Sequence, residues 1–121
     1  MPIDDGRVEI IALAGLPEVA PGDDLEAMIG DALEATPGVL PLQAGDVLVV
    51  TQKIVSKAEN RLVAVDPDDP LSHKALVEEE SVRVLRRRGD LVISETEHGF
   101  VCANAGIDRS NLDAGVAALL P

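Results

Sequence analysis

The chain has 121 residues, a length typical of one compact domain, and 46% of them are apolar, which argues against a disordered chain. Its formal net charge of −12 argues against non-specific binding to nucleic acid or to an anionic membrane, because both need a basic surface. A nucleotide site is still compatible with this charge, since a few local cations and backbone amides can hold phosphates.

Cysteine usage and the N-terminal sequence indicate a compartment. Cys102 is the single cysteine, so no disulfide can form within the chain. MPIDDGRVEI has neither the basic region nor the apolar stretch of a signal peptide. No apolar run approaches the ~20 residues of a membrane span. We therefore expect a cytoplasmic protein.

The first half of the chain predicts two buried strands on either side of one helix. Residues 8–14 (VEIIALA) are rich in β-branched residues and predict a strand. Apolar residues at helical spacing follow Asp23 and Asp24, either of which can cap a helix that ends before Pro37. Residues 46–51 (DVLVVT) predict a second strand, and their nearly continuous apolar run indicates burial on both faces.

The second half predicts three shorter strands and one long helix. We expect strands at residues 62–65, 91–94 and 100–103, and a helix over residues 71–88 with Gly89 as its C-cap. The predicted class is α+β (mixed α/β), with a mixed sheet and two main helices. The apolar run 116–120 has no polar cover and would expose a sheet edge. We interpret residues 1–121 as the N-terminal portion of a larger domain that is cut in its C-terminal part.

Four places could carry chemistry, and each also has a purely structural explanation. Residues 15–19 are a ligand loop after a strand or a plain turn. Residues 51–57 carry two lysines and two hydroxyls that could meet phosphates, or form a solvated strand end. Residues 104–111 offer hard oxygen ligands or an ordinary polar loop. The acidic run 78–80 is a solvated helix face or a site.

Four segments together resemble, in order and spacing, the start of coenzyme F-420:γ-glutamyl ligases. They are GLPEVAPGDDL, GDVLVVTQKIVSKAENRLV, EESVRVLRRR and ETEHGFVCANAGIDRSN. The resemblance runs from about residue 8 to residue 121, and the pair TQKIVSK and HGFVCANAGIDRSN is its specific part.

The resemblance implies a ligase that uses GTP and a divalent metal, Mg²⁺ or Mn²⁺. The γ-phosphate would activate a carboxylate of the coenzyme F-420 precursor as an acyl phosphate, which the amine of L-glutamate would attack. By position, Asp108 would bind the metal, and no catalytic residue is assigned. The GTP site would comprise Leu16, Pro17, Glu18, Val19, Gln52, Lys57 and Asn111. The carboxylate of Asp108 and the ammonium of Lys57 should then converge on one triphosphate.

The chain also departs from that family. Members are roughly twice as long, and domain-size statistics permit both lengths. Their second half supplies a further metal-binding acid with a neighbouring threonine, and position 52 is Gln where some members have Ser. The family implies a homodimer with sites near the subunit interface, so this chain alone should bind GTP weakly and not turn over. The alternatives are a non-catalytic nucleotide- or metal-binding module and an acidic interaction protein.

Overall fold

The fold is given by a computed structural model that describes residues 6–110 and 112–121. Its helices are α1 (Leu25–Ala35), α2 (Gln52–Ala58) and α3 (Lys74–Glu79), with one 3₁₀ turn at Asn104–Gly106. Its strands are β1 (Leu62–Ala64), β2 (Ser81–Arg88), β3 (Leu91–Thr96), β4 (Val101–Ala103) and β5 (Val116–Ala118). Helices and antiparallel strands combine in an α+β fold, which confirms the predicted class. No helix of the described residues has the length and apolar character needed to cross a membrane.

The described chain forms two compact units. The first unit holds residues 6–18 and 24–49, and the second holds residues 19–23 and 50–121 apart from position 111. Helix α1 belongs to the first unit, whereas α2, α3 and the strands belong to the second.

Helix α1 begins where the acidic pattern predicted it. The Asp24 carboxylate accepts a hydrogen bond from the backbone N–H of Ala27 at 3.0 Å, as an N-cap does. At the other end, the Thr36 hydroxyl donates to the carbonyl of Ala32 at 2.6 Å and accepts from the backbone N–H of Ala14 at 2.9 Å. This buried threonine therefore ties the segment before α1 to the C-terminal turn of the helix.

Asp24→Ala should destabilise α1 by about 1 kcal/mol, because one N–H of its first turn loses its acceptor. The measurement is amide hydrogen exchange across α1, which should become faster in proportion. Asp31→Ala is the matched control, since it removes the same charge from the middle of the same helix. Equal exchange rates in the two variants would contradict the capping role.

Two predicted strands are wrong in this structure. Residues 8–14 and 46–51 have no strand assignment, and Ile10 and Val49 expose 92% and 83% of their surface. A strand needs ladder hydrogen bonds as well as apolar residues. Within the described residues no strand pairs with either segment, so their apolar pattern is not realised as a sheet.

The C-terminal apolar run is buried rather than exposed, which corrects the prediction for residues 116–120. Strand β5 pairs antiparallel with β1, with Leu62 opposite Ala118. Ala117 and Ala118 are fully buried, and Leu119 is 4% exposed. This two-stranded sheet lies against α2 and forms the base of the candidate site.

A helix was predicted over residues 71–88, but only residues 74–79 are helical, so the prediction is wrong for residues 81–88. Helix α3 ends at Glu79, and residues 81–88 form β2, which pairs antiparallel with β3. Gly89 lies in the hairpin turn with φ +58° and does not cap a helix. Strand β4 adds to the other edge of β3, so both sheets in the described chain are antiparallel, where a mixed sheet was predicted.

The second unit has a small core between α3 and the three-stranded sheet. Val77 from α3, Val92 from β3 and Ala105 from the 3₁₀ turn are buried together, and Val84 and Ile107 pack against them. The chain passes through Asn104, Ala105 and Gly106 with three successive left-handed φ angles of 49°, 52° and 73°. This turn redirects the backbone from β4 toward β5.

The redirected segment carries Asp108. Its backbone N–H donates to the carbonyl of Ala118 at 2.9 Å, and the N–H of Ala118 donates back to the carbonyl of Asp108 at 2.7 Å. Because this bridge extends the β1–β5 sheet by one residue pair, the Asp108 carboxylate is fixed beside that sheet.

Candidate functional site

The TQKIVSK segment, which the sequence placed at the end of a strand as either a phosphate contact or a solvated end, lies in helix α2 and its N-cap. Lys53 and Lys57 are four residues apart and therefore lie on one face of the helix, as do Gln52 and Ser56 on the adjacent face. The helix ends because Asn60 takes a left-handed φ of 56°. Asn60 and Arg61 then donate backbone hydrogen bonds to the carbonyls of Lys57 and Ser56, which is a Schellman motif.

Ser56 anchors this helix to the C-terminal strand region. Its side chain is fully buried, and its hydroxyl donates to the carbonyl of Leu119 at 2.6 Å. The amide nitrogen of Gln52 donates to the Ser56 hydroxyl at 2.8 Å and lies 3.4 Å from the same carbonyl. Gln52, one of the predicted GTP contacts, is an exposed residue that is thus held in place by hydrogen bonds to the buried Ser56 hydroxyl and the Leu119 carbonyl.

Lys53 joins the same helix to Asp108. Its ammonium lies 2.8 Å from Asp108 Oδ2, 3.1 Å from Ser110 Oγ, and in hydrogen-bond contact with the Ser110 carbonyl. The other carboxylate oxygen, Oδ1, accepts hydrogen bonds from the backbone N–H and the hydroxyl of Ser110, each at 2.7 Å. Both oxygens of Asp108 are therefore engaged, one by a cation and one by its own loop.

These contacts set the charge state of Asp108. Burial alone would raise the pKa of the carboxyl group. The hydrogen bonds from Lys53 and Ser110, together with the positive charge of Lys53, outweigh burial and lower the pKa from 3.8 to about 2. The group is therefore a carboxylate at neutral pH, which is the form that can bind a cation.

The lowered pKa makes part of the folding stability dependent on pH. Because the folded-state pKa lies below that of the unfolded chain, the contribution is fully present above about pH 4 and disappears as the pH falls through about 2. The side chain is 35% exposed, so after allowance for solvent screening we expect about 1 kcal/mol. Urea unfolding of the wild type and Asp108→Asn should show this difference at about pH 5 and lose it near pH 2. A difference that persists unchanged at the lower pH would contradict this assignment.

The other predicted GTP residues lie in different parts of the molecule. Leu16, Pro17 and Glu18 belong to the first unit, where Leu16 is half-buried and the other two are exposed. Val19 is buried in the second unit, whose segment 19–23 is tied to the end of α2 by a hydrogen bond from Gly22 N–H to the Ala58 carbonyl at 2.9 Å. Asn111 lies outside the described residues. The roles of all these residues stay predictions.

Lys53 and Ser56 assemble the site, and the sequence placed both in the candidate segment 51–57 without giving either a role of its own. The lysine in contact with Asp108 is Lys53, one helical turn before Lys57. Ser56, which fixes α2, was not singled out either. Lys53 lies four residues before Lys57, and Ser56 lies four residues after Gln52. This spacing would have placed each pair on one helical face if residues 52–58 had been assigned to a helix.

The donor atoms near Asp108 suit a hard divalent cation. A carboxylate and a hydroxyl are oxygen ligands of the type that Mg²⁺ and Mn²⁺ prefer, and Mg²⁺ is commonly held by one or two carboxylates plus substrate phosphates and water. In the part of the chain that the structure describes, no group of three or more His, Cys, Asp or Glu residues could hold a metal. Asp108 and Ser110 therefore fit part of such a site.

Comparison with known proteins identifies relatives. The chain is 39% identical to the coenzyme F420:L-glutamate ligase of Methanothermobacter thermautotrophicus over 128 residues, which covers 94% of this chain and 50% of the relative. The protein of the same name from Methanopyrus kandleri is 36% identical, and the match covers 95% of this chain and 48% of that relative. The one from Halorubrum lacusprofundi is 33% identical, and the match covers 94% of this chain and 50% of that relative. The chain thus spans about half the length of these relatives.

A family model gives the same result for most of the chain. The model described as F420-0:Gamma-glutamyl ligase matches residues 15–121, a range that includes α2, Asp108 and both sheets. The resemblance of the TQKIVSK and HGFVCANAGIDRSN segments is thereby confirmed at the level of the family. The chain belongs to the F420-0:gamma-glutamyl ligase family.

Proposed function

We propose that this chain is the nucleotide- and metal-handling part of a ligase that attaches L-glutamate to a coenzyme F-420 precursor in coenzyme F-420 biosynthesis, using GTP. Membership of the family supports the glutamate-ligase class. The observation that carries the proposal is the contact between Lys53 of α2 and Asp108. It shows that the helix bearing Gln52 and Lys57 adjoins the loop bearing the predicted metal ligand.

The proposed reaction makes an amide in two steps. The γ-phosphoryl group of GTP passes to a carboxylate of the precursor, which gives an acyl phosphate and GDP. The glutamate amine then attacks the acyl carbon, and phosphate leaves. In both steps negative charge develops on a departing oxygen, that of GDP in the first step and that of phosphate in the second. The protein therefore acts mainly by positioning reactants and neutralising charge.

The site residues suit that task. Asp108 stays ionised at neutral pH and would hold Mg²⁺ or Mn²⁺ together with the Ser110 hydroxyl. The bound metal would neutralise phosphate charge and orient the triphosphate. Lys57 would contribute a further positive charge from the same helix as Lys53, and Gln52 would offer an amide held by Ser56.

The relatives are about twice as long as this chain, and the proposal also covers what their other half does. We propose that the complete enzyme supplies further metal and nucleotide ligands and works as a homodimer, and that the 121-residue chain alone does not turn over. Among the described residues, Asp108 is the one carboxylate that we propose as a metal ligand. A single carboxylate leaves most coordination positions to other groups, which supports the need for further ligands.

The direct test is glutamylation followed by mass spectrometry. The chain is incubated with the precursor, L-glutamate, GTP and Mn²⁺, alone and with the second half of the Methanothermobacter thermautotrophicus ligase. We expect a product heavier by one glutamate residue in the reconstituted mixture only. Omission of GTP and addition of EDTA are the controls. Absence of product from a reconstituted complex whose assembly has been verified would contradict the proposal.

The lone carboxylate also favours a second candidate, a non-catalytic nucleotide- or metal-binding module. It predicts a rise in melting temperature with GTP and Mn²⁺ but no product in any mixture. An acidic interaction protein would show neither the rise nor the product.

A further inference from the structure

We propose that Lys53 is a positioning residue that occupies the place of the divalent cation beside Asp108 and leaves it when the cation binds. This inference rests on the proposed metal role of Asp108. The family resemblance makes Lys57 a GTP contact and gives no role to Lys53. The role proposed for Lys53 is therefore additional to those that the resemblance implies.

Three oxygen atoms lie around the Lys53 ammonium. The nitrogen contacts a carboxylate oxygen of Asp108 and both the carbonyl and the hydroxyl oxygen of Ser110. These three hard oxygens come from one short loop, and they are the kinds of ligand that a divalent cation takes. The ammonium therefore lies against three oxygens that could form one side of the coordination shell of a divalent cation.

Among the contacts of Asp108, Lys53 is the one that can leave. Asp108 Oδ1 is held by Ser110, two residues further along the same loop, and the Asp108 backbone is fixed to Ala118. Lys53 reaches Oδ2 from another element through a flexible four-carbon stem. Displacement of the ammonium would free Oδ2 and keep the loop and the orientation of the carboxylate.

The displaced positive charge of Lys53 has a place to go on the same helix. Lys53 and Lys57 share one helical face, so a released Lys53 ammonium stays beside Lys57. The Lys53 side chain is 20% exposed and that of Asp108 is 35% exposed, so solvent and an incoming phosphate can reach the pair. Cation binding would thus place a second positive charge near the phosphates and couple metal loading to nucleotide loading.

The test measures Mn²⁺ binding to the 121-residue chain without nucleotide, by the electron paramagnetic resonance signal of free Mn²⁺. Lys53→Met should bind Mn²⁺ roughly two- to fivefold more tightly, since its competitor is gone and partly exposed ion pairs are weak. Asp108→Asn should lose the site, and Mn²⁺ broadening of the amide resonances of residues 108–110 should disappear with it. Lys53→Arg should bind Mn²⁺ as the wild type does.

The opposite effect is expected for the nucleotide. In the presence of Mn²⁺, Lys53→Met should bind GTP more weakly than the wild type, because the released ammonium is missing. A purely structural role would weaken both ligands together. Lys74→Met is the matched control, since Lys74 also pairs with an aspartate, Asp90, at 2.6 Å on the surface of the second unit. It removes the same charge and should change neither affinity.

The results separate this inference from the proposed function. Unchanged or weaker Mn²⁺ binding by Lys53→Met, with the site lost in Asp108→Asn, would overturn the role of Lys53 and leave the metal role of Asp108 intact. Unchanged Mn²⁺ binding by Asp108→Asn would overturn both. Tighter binding by Lys53→Met would support the inference even if the reconstituted mixture made no glutamylated product.

Discussion

Gly106→Ala is expected to lower the free energy of unfolding of the second unit by about 2–5 kcal/mol. Gly106 has φ +73°, a left-handed conformation that costs an alanine about 1–2 kcal/mol. A Cβ atom there would also lie 2.8 Å from Cγ and Cδ2 of Leu120, so the Leu120 side chain would have to move. Overpacking of this kind typically costs about 1–3 kcal/mol. The measurement is urea unfolding followed by circular dichroism.

Two further variants separate the backbone strain from the clash. Gly99→Ala has a similar φ of +80° with no atom within 4 Å of the added Cβ, so it should show the backbone cost alone. In the background of Leu120→Ala, the Gly106→Ala substitution should lose most of its packing cost, because the two side chains compete for one volume. Additive effects of Gly106→Ala and Leu120→Ala would contradict the predicted clash.

The position of Gly106 explains why this turn matters for the site. The left-handed run at residues 104–106 directs the chain from β4 to Asp108, and Asp108 then pairs with Ala118 of β5. The Asn104 side chain adds a hydrogen bond, accepting from the Val92 N–H at 3.0 Å. Glycine and asparagine tolerate such φ angles, and the sequence showed only a polar, turn-rich loop here.

Local signals predicted some elements correctly. Helix α1 was predictable because its apolar spacing, its acidic cap and its terminating residues all lie within one short stretch. Strands β1 and β3 were also predicted near their observed positions, since each lies in a short run that contains β-branched residues and is bounded by turns.

Residues 81–88 show how tertiary pairing overrode a local pattern. The acids followed by bases suited the dipole of one long helix. In the structure, Arg83 instead pairs with Glu95 across the β2–β3 ladder, and Arg87 pairs with Glu78 of α3. Those partners are 12 and 9 residues away, so a helix-based interpretation of the charges could not include them.

Residues 8–14 and 46–51 show the opposite limit. Their composition suits buried strands, yet composition does not supply a neighbouring strand, and in the described chain neither segment has one. The apolar run at 116–120 has the same character but meets β1, and it is buried. The presence or absence of a strand to pair with decided between these outcomes, and a short stretch of sequence does not contain that information.

The sequence predicted which segments carry the site, but not which lysine pairs with Asp108. The family resemblance named Asp108 and Lys57, and sequence spacing gave no reason to prefer Lys53 over Lys57 as the partner of Asp108. The choice follows from how α2 is docked, which depends on the buried hydrogen bond from Ser56 to the Leu119 carbonyl across 63 residues. Long-range contacts of this kind leave no periodic signal in the sequence.

Asp108→Asn should lower GTP-dependent glutamylation in the reconstituted mixture by about 10²–10³-fold. The amide has nearly the same shape but lacks the charge that binds a divalent cation, and a loss of several kcal/mol of charge stabilisation corresponds to such a factor. The substitution should cost about 1 kcal/mol of stability, so the protein stays folded and the effect is chemical. Product is measured by mass spectrometry at several Mn²⁺ concentrations.

The dependence on Mn²⁺ distinguishes the cause of that loss. If Asp108 acts by binding the metal, raising the Mn²⁺ concentration should recover part of the activity of Asp108→Asn, because metal occupancy follows mass action. Asp113→Asn removes the same charge from a nearby exposed position and should keep wild-type activity. Equal activity of these two variants would show that the carboxylate of Asp108 has no special part in the reaction. A loss that no concentration of Mn²⁺ relieves would instead place its effect on a step other than metal binding.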